Sequence, residues 1–221
     1  MSGKEVQMKK SVAVLGLGKY GRSLSENLYR LGTDVLAVDR NETLIDEFAD
    51  KCTSAVCADL ADEDEVMSLG LKDMDIVVTA MGKNLAASIM SVTVAKEQGV
   101  PLVIAKASSD RMAAILKKVG ADRIIDPEGE GGARSAKILM SSVFKDYYEL
   151  DENMCLIEML PKKEWVGKNL VELDLRKKME LNIAAARKED RPWRFVDLKT
   201  PFETDDILLI VTEKGNKYIN I

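Results

Sequence analysis

Three glycines near the start of the chain stand at the spacing that lets a backbone approach phosphate oxygens. They are Gly16, Gly18 and Gly21, in the stretch VAVLGLGKYGRSL. In this G-x-G-x-x-G spacing the first glycine permits a tight turn, the second lets backbone N–H groups approach a pyrophosphate, and the third lets a helix pack on the preceding strand. An apolar run precedes the glycines and a helical pattern follows them. The alternative is that the glycines only shape a tight turn.

An acidic residue and two cations extend this candidate site. Asp39 ends the second apolar run, 18 residues beyond Gly21, where an acid can accept hydrogen bonds from ribose hydroxyls. Lys19 and Arg22 suit a third phosphate, as in ATP, or an anion from a neighbouring subunit. Both could equally be solvated surface cations.

Further candidates stand where the later apolar runs end. Asp59 ends the third run and either faces the adenine side of the pocket or caps the next turn. Glu128 follows the sixth and either ligates a hydrated divalent cation near phosphates or is a solvated turn acid. Carboxyl ends of parallel strands meet at one sheet edge, so we expect these side chains to gather there. The candidate nucleotide-binding residues are Gly16, Gly18, Lys19, Tyr20, Gly21, Asp39, Arg40, Asp59, Leu60, Gly82, Asn84 and Lys106.

Six short apolar runs alternate with helical patterns along the first part of the chain. Continuous apolar runs are typical of strands covered on both faces. The alternation predicts an α/β fold with a Rossmann-like, doubly wound parallel sheet. The runs are 11–17, 34–39, 54–59, 75–81, 101–107 and 123–127.

The pattern changes after the sixth run. EGEGG predicts a flexible turn, and apolar residues at 136, 139, 143 and 147 predict a connector helix over 133–149 with an apolar face. The segments MCLIEML, NIAAARK, RFVDL and ILLIVT predict strands, and NLVELDLRKK predicts a helix. We therefore expect a nucleotide-binding domain over 10–132, a linker over 133–150 and a small α+β domain over 151–221. The small domain is near the lower size limit for independent stability, which favours docking or dimerisation.

The amino-acid composition of the chain argues against several classes of function. The net charge of −5 is a poor match to general nucleic-acid binding. The sequence has no histidine, which removes the commonest general base. Three cysteines form neither a CxxC pair nor an even set, and no apolar run is long enough to span a membrane, so we expect a reduced, cytoplasmic setting. The N-terminal residues lack the apolar region of a signal peptide.

These observations favour a protein that senses a nucleotide over an enzyme. A dehydrogenase needs an acid or base beside the nicotinamide, and the sequence contains no Tyr-x-x-x-Lys motif. A small NAD(P)-dependent oxidoreductase and a nucleotide-sensing transcriptional repressor are the alternatives from other classes. The repressor would need a DNA-binding winged helix, for which we see no segment.

Longer segments resemble a known family. VAVLGLGKYGRSLSENLYRLGTDVLAVDRNETLIDEFAD, MGKNLAASIM and KKVGADRIIDPEGEGG are similar to the N-terminal RCK (also called KTN) domain. LIEMLPKKEWVGKNLVELDLRKKMELNIAAARKED and DDILLIVTE resemble the RCK C-terminal domain. Domain order and length resemble the KtrA/TrkA-type cytosolic regulatory subunits of bacterial potassium uptake systems.

The resemblance implies partners and ligands that the residues alone do not indicate. It implies a homo-octameric ring, a tetramer of dimers, docked at the cytoplasmic face of the membrane on a Ktr- or Trk-type potassium transporter. It implies activation by ATP and inactivation by ADP, with NAD or NADH as the ligand in some members. Lys19 falls where the family often has arginine facing the terminal phosphate. Glu128 matches a ligand of Mg²⁺ or Ca²⁺ bound with ATP, and 133–149 matches a crossover helix that links protomers.

The resemblance also implies a cyclic di-AMP site in the C-terminal domain. A proline expected later in that site has no clear counterpart in this chain. The matching residues are Leu170, Asp174, Arg176 and Asn182.

Overall fold

The computed structural model describes residues 9–219, and the chain divides into two compact units between Gly129 and Glu130. The first unit contains a six-stranded parallel sheet with the order β3-β2-β1-β4-β5-β6. Strand order reverses between β1 and β4, which places a crevice at the carboxyl ends of these strands. The doubly wound sheet predicted from the sequence is confirmed. Its strands are β1 (Ser11–Leu15), β2 (Asp34–Asp39), β3 (Ser54–Cys57), β4 (Ile76–Thr79), β5 (Leu102–Lys106) and β6 (Arg123–Ile125).

Apolar side chains pack on both faces of this sheet. Along β1, Val14 packs in one buried cluster with Phe48, whereas its neighbour Leu15 packs in another with Leu116. Burial on both faces explains the continuous apolar runs. The helices are α1 (Lys19–Arg30), α2 (Glu42–Phe48), α3 (Glu63–Ser68), α4 (Leu85–Glu97) and α5 (Asp110–Lys118). Within residues 9–219, none of the helices has the length and apolar character needed to cross a membrane.

Helix α6 (Pro127–Met140) begins earlier than the sequence predicts. The prediction of a flexible turn at EGEGG is wrong, because these residues form its first turns. Pro127 occupies the first helical position, where its fixed φ favours initiation. The Asp126 Oδ1 atom accepts a hydrogen bond from the backbone N–H of Gly129 at 3.0 Å. This capping interaction offsets the low helix propensity of glycine.

The prediction of a helix over 133–149 is also wrong in its second half, where the chain forms strand β7 (Phe144–Glu149). The Ser141 hydroxyl accepts hydrogen bonds from the backbone N–H groups of Val143 and Phe144 at 3.3 and 3.2 Å, just beyond the end of α6. A register shift between Phe144 and Asp146 interrupts the alternation of the strand. Phe144 and Tyr147, three residues apart, are consequently both buried, which imitates helical spacing.

The second unit contains a five-stranded sheet with the order β10-β9-β11-β8-β7, in which all pairs are antiparallel. Trp165 is fully buried in its core. The single helix predicted over 169–178 is split, because Asp174 takes a left-handed backbone conformation with a φ of 48°. The strand predicted at RFVDL shortens to two residues. The remaining elements are β8 (Met154–Met159), α7 (Leu170–Leu173), α8 (Leu175–Met179), β9 (Asn182–Arg187), β10 (Arg194–Phe195) and β11 (Ile207–Glu213).

Candidate nucleotide site

The turn between β1 and α1 leaves no room for a side chain at two of its three glycines. Gly16 has a φ of +100°, and a Cβ there would lie 2.6 Å from the Cγ atom of Met81. A Cβ at Gly21 would lie 1.9 Å from the carbonyl oxygen of Gly16. A Cβ at Gly18 would meet nothing within 4 Å. Gly16 and Gly21 therefore shape the turn, whereas Gly18 borders open space.

The N-terminus of α1 is open to an anion on the side of Gly18. Gly18 is the N-cap residue and brings no side-chain oxygen to cap the helix. The first turn contains no acidic residue, and Lys19, its first residue, is exposed. Backbone donors and the helix dipole favour negative charge at such an end. This geometry fits the phosphate-binding role that the glycine spacing predicts.

Asp39 joins the two loops at the carboxyl ends of β1 and β2. Its Oδ2 atom accepts a hydrogen bond from the backbone N–H of Leu17 at 2.7 Å, and its Oδ1 atom accepts one from that of Asn41 at 3.0 Å. Each carboxylate oxygen has two acceptor positions, so capacity remains for ribose hydroxyls. Asp39 thus positions the glycine turn and fits the predicted ribose contact.

An open cleft of about 140 Å³ lies at this edge of the sheet. Five of the predicted residues line it, and Met81 and Ala87 are additions that sequence reasoning missed. Both are apolar, and their only sequence signal is their nearness to Gly82 and Asn84. The lining residues are Asp39, Arg40, Asp59, Leu60, Met81, Asn84 and Ala87.

Two of the lining residues also cap local structure. The Asp59 Oδ1 atom accepts a hydrogen bond from the backbone N–H of Ala61 at 3.0 Å, so the turn-capping interpretation holds alongside its position in the cleft. The Asn84 Oδ1 atom accepts one from the backbone N–H of Ala87 at 3.1 Å and caps α4. These bonds fix the two side chains before any ligand arrives.

The remaining predicted residues of the first unit gather around Lys106, at the carboxyl end of β5. The Lys106 Nζ atom lies 5.6 Å from the centre of the Tyr20 ring and forms an ion pair with Glu128 Oε1 at 2.5 Å. A Cβ at Gly82 would lie 3.2 Å from the Lys106 Cε atom. The Lys106 ammonium holds the pKa of Glu128 below its usual range. Glu128 is therefore an ionised carboxylate near neutral pH.

Glu128 fits a cation only as one ligand among several. Within the described part of the chain, no group of three or more histidine, cysteine or acidic side chains is arranged to hold a metal. Mg²⁺ commonly takes one or two carboxylates together with phosphate oxygens and water. A cation at Glu128 would thus need further ligands from a nucleotide or from a second copy of the chain.

The residues proposed for cyclic di-AMP lie in the second unit, at the segment from α7 to the start of β9. Arg176 and Asn182 are exposed, and Asp174 separates the two short helices. Among residues 9–219, no hydrogen bond or ion pair joins the side chains of any two of the four residues.

Fold and site together define a Rossmann-like nucleotide-binding domain followed by a small α+β unit. The TrkA-N domain family matches residues 12–127. The chain is 38% identical over 181 residues to Ktr system potassium uptake protein C of Bacillus subtilis (strain 168), covering 82% of each chain. It is 33% identical over 202 residues to Ktr system potassium uptake protein A of Vibrio alginolyticus, covering 91% of this chain and 92% of that one. The chain belongs to the TrkA-N domain family, as a KtrA-type RCK protein.

A solved structure supports the fold across both units. The structure described as "GsuK channel bound to NAD" has a TM-score of 0.66 with this chain and covers 96% of it at 13% identity. This chain spans 38% of the length of that one. At this identity the likeness concerns the fold alone.

Proposed function

We propose that this protein is a nucleotide-sensing regulatory subunit that gates a membrane potassium transporter, with ATP activating and ADP inactivating it through a change in ring conformation. The observation that carries the proposal is the open end of α1 at Gly18, beside a cleft that Asp39 borders. The names of the Ktr relatives supply the transport context. The role proposed is regulatory rather than enzymatic.

Lys19 and Glu128 are the residues whose contacts would differ between bound ATP and bound ADP. Lys19 is an exposed cation at the open helix end, suited to a terminal phosphate. Glu128 is an ionised carboxylate suited to a divalent cation that accompanies ATP. A ligand shifts a conformational equilibrium only through contacts that differ between the two states. We therefore assign discrimination to these two residues and common binding to Gly18 and Asp39.

The exposed surface of α6 supports an assembly of several copies. None of its 14 residues is buried, and Leu139 and Met140 are 83% and 80% exposed. Exposed apolar side chains on a helix favour a protein partner. We propose a second copy of the chain as this partner, within an octameric ring that docks on the cytoplasmic side of the transporter.

An NAD(H)-binding redox sensor or a small NAD(P)-dependent oxidoreductase is the second candidate. The position of Asp39 at the end of β2 favours it, because an acid there also suits the ribose of NAD. Calorimetry with ATP, ADP, NADH and cyclic di-AMP, with and without magnesium, separates the candidates. We expect ATP and ADP to bind and magnesium to strengthen only ATP. Binding of NADH without binding of ATP or ADP would contradict the proposal.

The cyclic di-AMP arm of the same titration tests the second unit. Arg176→Ala should weaken binding of cyclic di-AMP and leave ATP binding unchanged, because Arg176 lies in α8, outside the nucleotide unit. Wild-type protein that binds no cyclic di-AMP would remove this ligand and leave the ATP/ADP proposal intact.

Gating itself is tested by transport with the reconstituted transporter. Lys19→Ala and Glu128→Ala should each reduce the stimulation of transport by ATP. Lys118→Ala is the matched control, because Lys118 is an exposed lysine of α5. If ATP stimulates transport equally in the wild type and in both site variants, the proposed mechanism is wrong.

A further inference from the structure

The ion pair between Lys106 and Glu128 occupies the carboxylate that the proposed function assigns to a divalent cation. The two partners differ strongly in environment: the Lys106 side chain is 10% exposed and that of Glu128 is 67% exposed. A lysine this buried is rarely left without a counter-charge. Within the described residues, Glu128 is the only acidic partner in ion-pair range of Lys106.

The surroundings of Lys106 restrict where its ammonium can go. Its side-chain stem lies against Gly82, where a Cβ would be 3.2 Å from the Cε atom. Its Nζ atom stays within reach of the Tyr20 ring, 5.6 Å away, in the first turn of α1. Lys106 pairs with Ile125 across β5 and β6, which brings it close to the start of α6. The fold therefore presents the ammonium to Glu128.

We propose that Lys106 is a built-in competitor for the cation at Glu128: its ammonium neutralises Glu128 in the ligand-free protein and leaves this carboxylate when a divalent cation binds there. The inference rests on the proposed function, because it presupposes a cation bound together with ATP. An ammonium and a divalent cation on one carboxylate repel each other at short range. The cation must therefore break the Lys106–Glu128 ion pair in order to bind Glu128.

Displacement does not remove Lys106 from the nucleotide site. The Tyr20 ring can retain the ammonium through a cation–π contact, which is effective within about 6 Å. Tyr20 follows Lys19 in the first turn of α1, on the side of the glycine turn. When the cation releases Lys106 from Glu128, the ammonium would thus remain near the first turn of α1, at the phosphate end of the site. Lys106 thus lowers the affinity for the cation by competing for Glu128.

The test is a titration of MgCl₂ into protein saturated with ATP, followed by calorimetry. Lys106→Met should raise the affinity for Mg²⁺ about fivefold, because it removes an ion pair with one exposed partner. Lys106→Arg retains the counter-charge and should bind Mg²⁺ no more tightly than the wild type. Lys118→Met removes one lysine charge from an exposed face of α5 and should leave the affinity unchanged. Glu128→Gln should lose the tight Mg²⁺ site.

The outcomes separate this inference from the proposed function. If the wild type binds no ATP, the proposed function fails and this inference falls with it. If ATP binds and Glu128→Gln loses the Mg²⁺ site, but Lys106→Met leaves the Mg²⁺ affinity unchanged or lowers it, the inference alone is overturned. Thermal unfolding of each variant verifies folding. If Lys106→Met does not fold, Lys106→Gln takes its place, with the same expected rise.

Discussion

A Cβ at Gly21 would lie 1.9 Å from the carbonyl oxygen of Gly16, so the backbone of the α1 start touches the backbone of the preceding turn. Rotation of a side chain cannot relieve an overlap between a Cβ and a carbonyl oxygen. The contact therefore fixes the direction in which α1 leaves β1. It also fixes where the open end at Gly18 lies relative to Asp39.

Gly21→Ala and Gly18→Ala should separate folding from ligand binding. Gly21→Ala should lower the free energy of unfolding by about 1–3 kcal/mol, because the turn must shift to admit the methyl group. Gly18→Ala should change it by no more than about 0.5 kcal/mol, since its Cβ meets nothing within 4 Å. It should nevertheless weaken nucleotide binding, because the methyl group faces the ligand. Urea unfolding and calorimetry measure the two effects.

The opposite pattern would contradict this division of roles. A Gly18→Ala variant that binds ATP as well as the wild type would show that the phosphates do not approach this position. A Gly21→Ala variant with unchanged stability would show that the turn can open without cost.

Asp39→Asn tests the double role of this carboxylate. The amide retains one oxygen acceptor, so one of the backbone N–H groups of Leu17 and Asn41 loses its partner. We expect a loss of about 1 kcal/mol in the free energy of unfolding, together with weaker binding of any nucleotide that carries ribose. Asp46→Asn, at an exposed position of α2, is the matched control and should change neither property. Full nucleotide affinity in Asp39→Asn would rule out the ribose contact.

Several parts of this structure could be predicted from the sequence because their signals are local. Strands buried on both faces leave continuous apolar runs, and Asp39 and Asp59 are the last residues of two such runs in the sequence. The pair between Lys106 and Glu128 leaves no such signal, because it depends on how β5 and β6 align. Sequence spacing identified both residues as candidates without identifying them as partners.

The segment from EGEGG to residue 149, for which the sequence predicts a flexible turn and a connector helix, could not be predicted correctly, for two physical reasons. The capping hydrogen bond from Gly129 to Asp126 is a single interaction, and glycine-rich composition conceals it. In β7, the register shift after Phe144 places two buried aromatic residues three positions apart, as in a helix. A strand with an irregular register imitates the wrong period.

Lys106→Met should also change the titration of Glu128 in the ligand-free protein. Lys106 holds the pKa of Glu128 below its usual range, mainly through a hydrogen bond. Without the ammonium, the pKa of Glu128 should rise toward the ordinary value of a glutamate. A pH titration of glutamate carboxyl carbons by NMR, assigned with Glu128→Gln, measures the shift. An unchanged pKa would mean that the ion pair does not form in solution.

The ion pairs of Glu149 predict a pH-dependent stability in the second unit. Its two carboxylate oxygens accept hydrogen bonds from the ammonium groups of Lys137 and Lys214, each at 2.7 Å. These contacts lower the pKa of Glu149 from 4.5 to about 2. A carboxyl with a lowered pKa in the folded state stabilises that state above its unfolded pKa, and the contribution disappears as the pH falls toward the folded value. The contribution of Glu149 should therefore be complete above about pH 4.5 and lost between that pH and about 2.

Glu149→Gln should lower the free energy of unfolding at neutral pH by no more than about 1 kcal/mol, because Glu149 is half-exposed and solvent screens its ion pairs. The difference from the wild type should shrink as the pH falls from about 4.5 to about 2, because Glu149 is protonated first in the unfolded chain and then in the folded protein. Urea unfolding at a series of pH values measures it. Glu152→Gln is the control: Glu152 is exposed and has no ion-pair partner within residues 9–219, so its curve should follow that of the wild type. A constant difference between Glu149→Gln and the wild type down to pH values near 2 would show that the two lysines do not stabilise the ionised carboxylate.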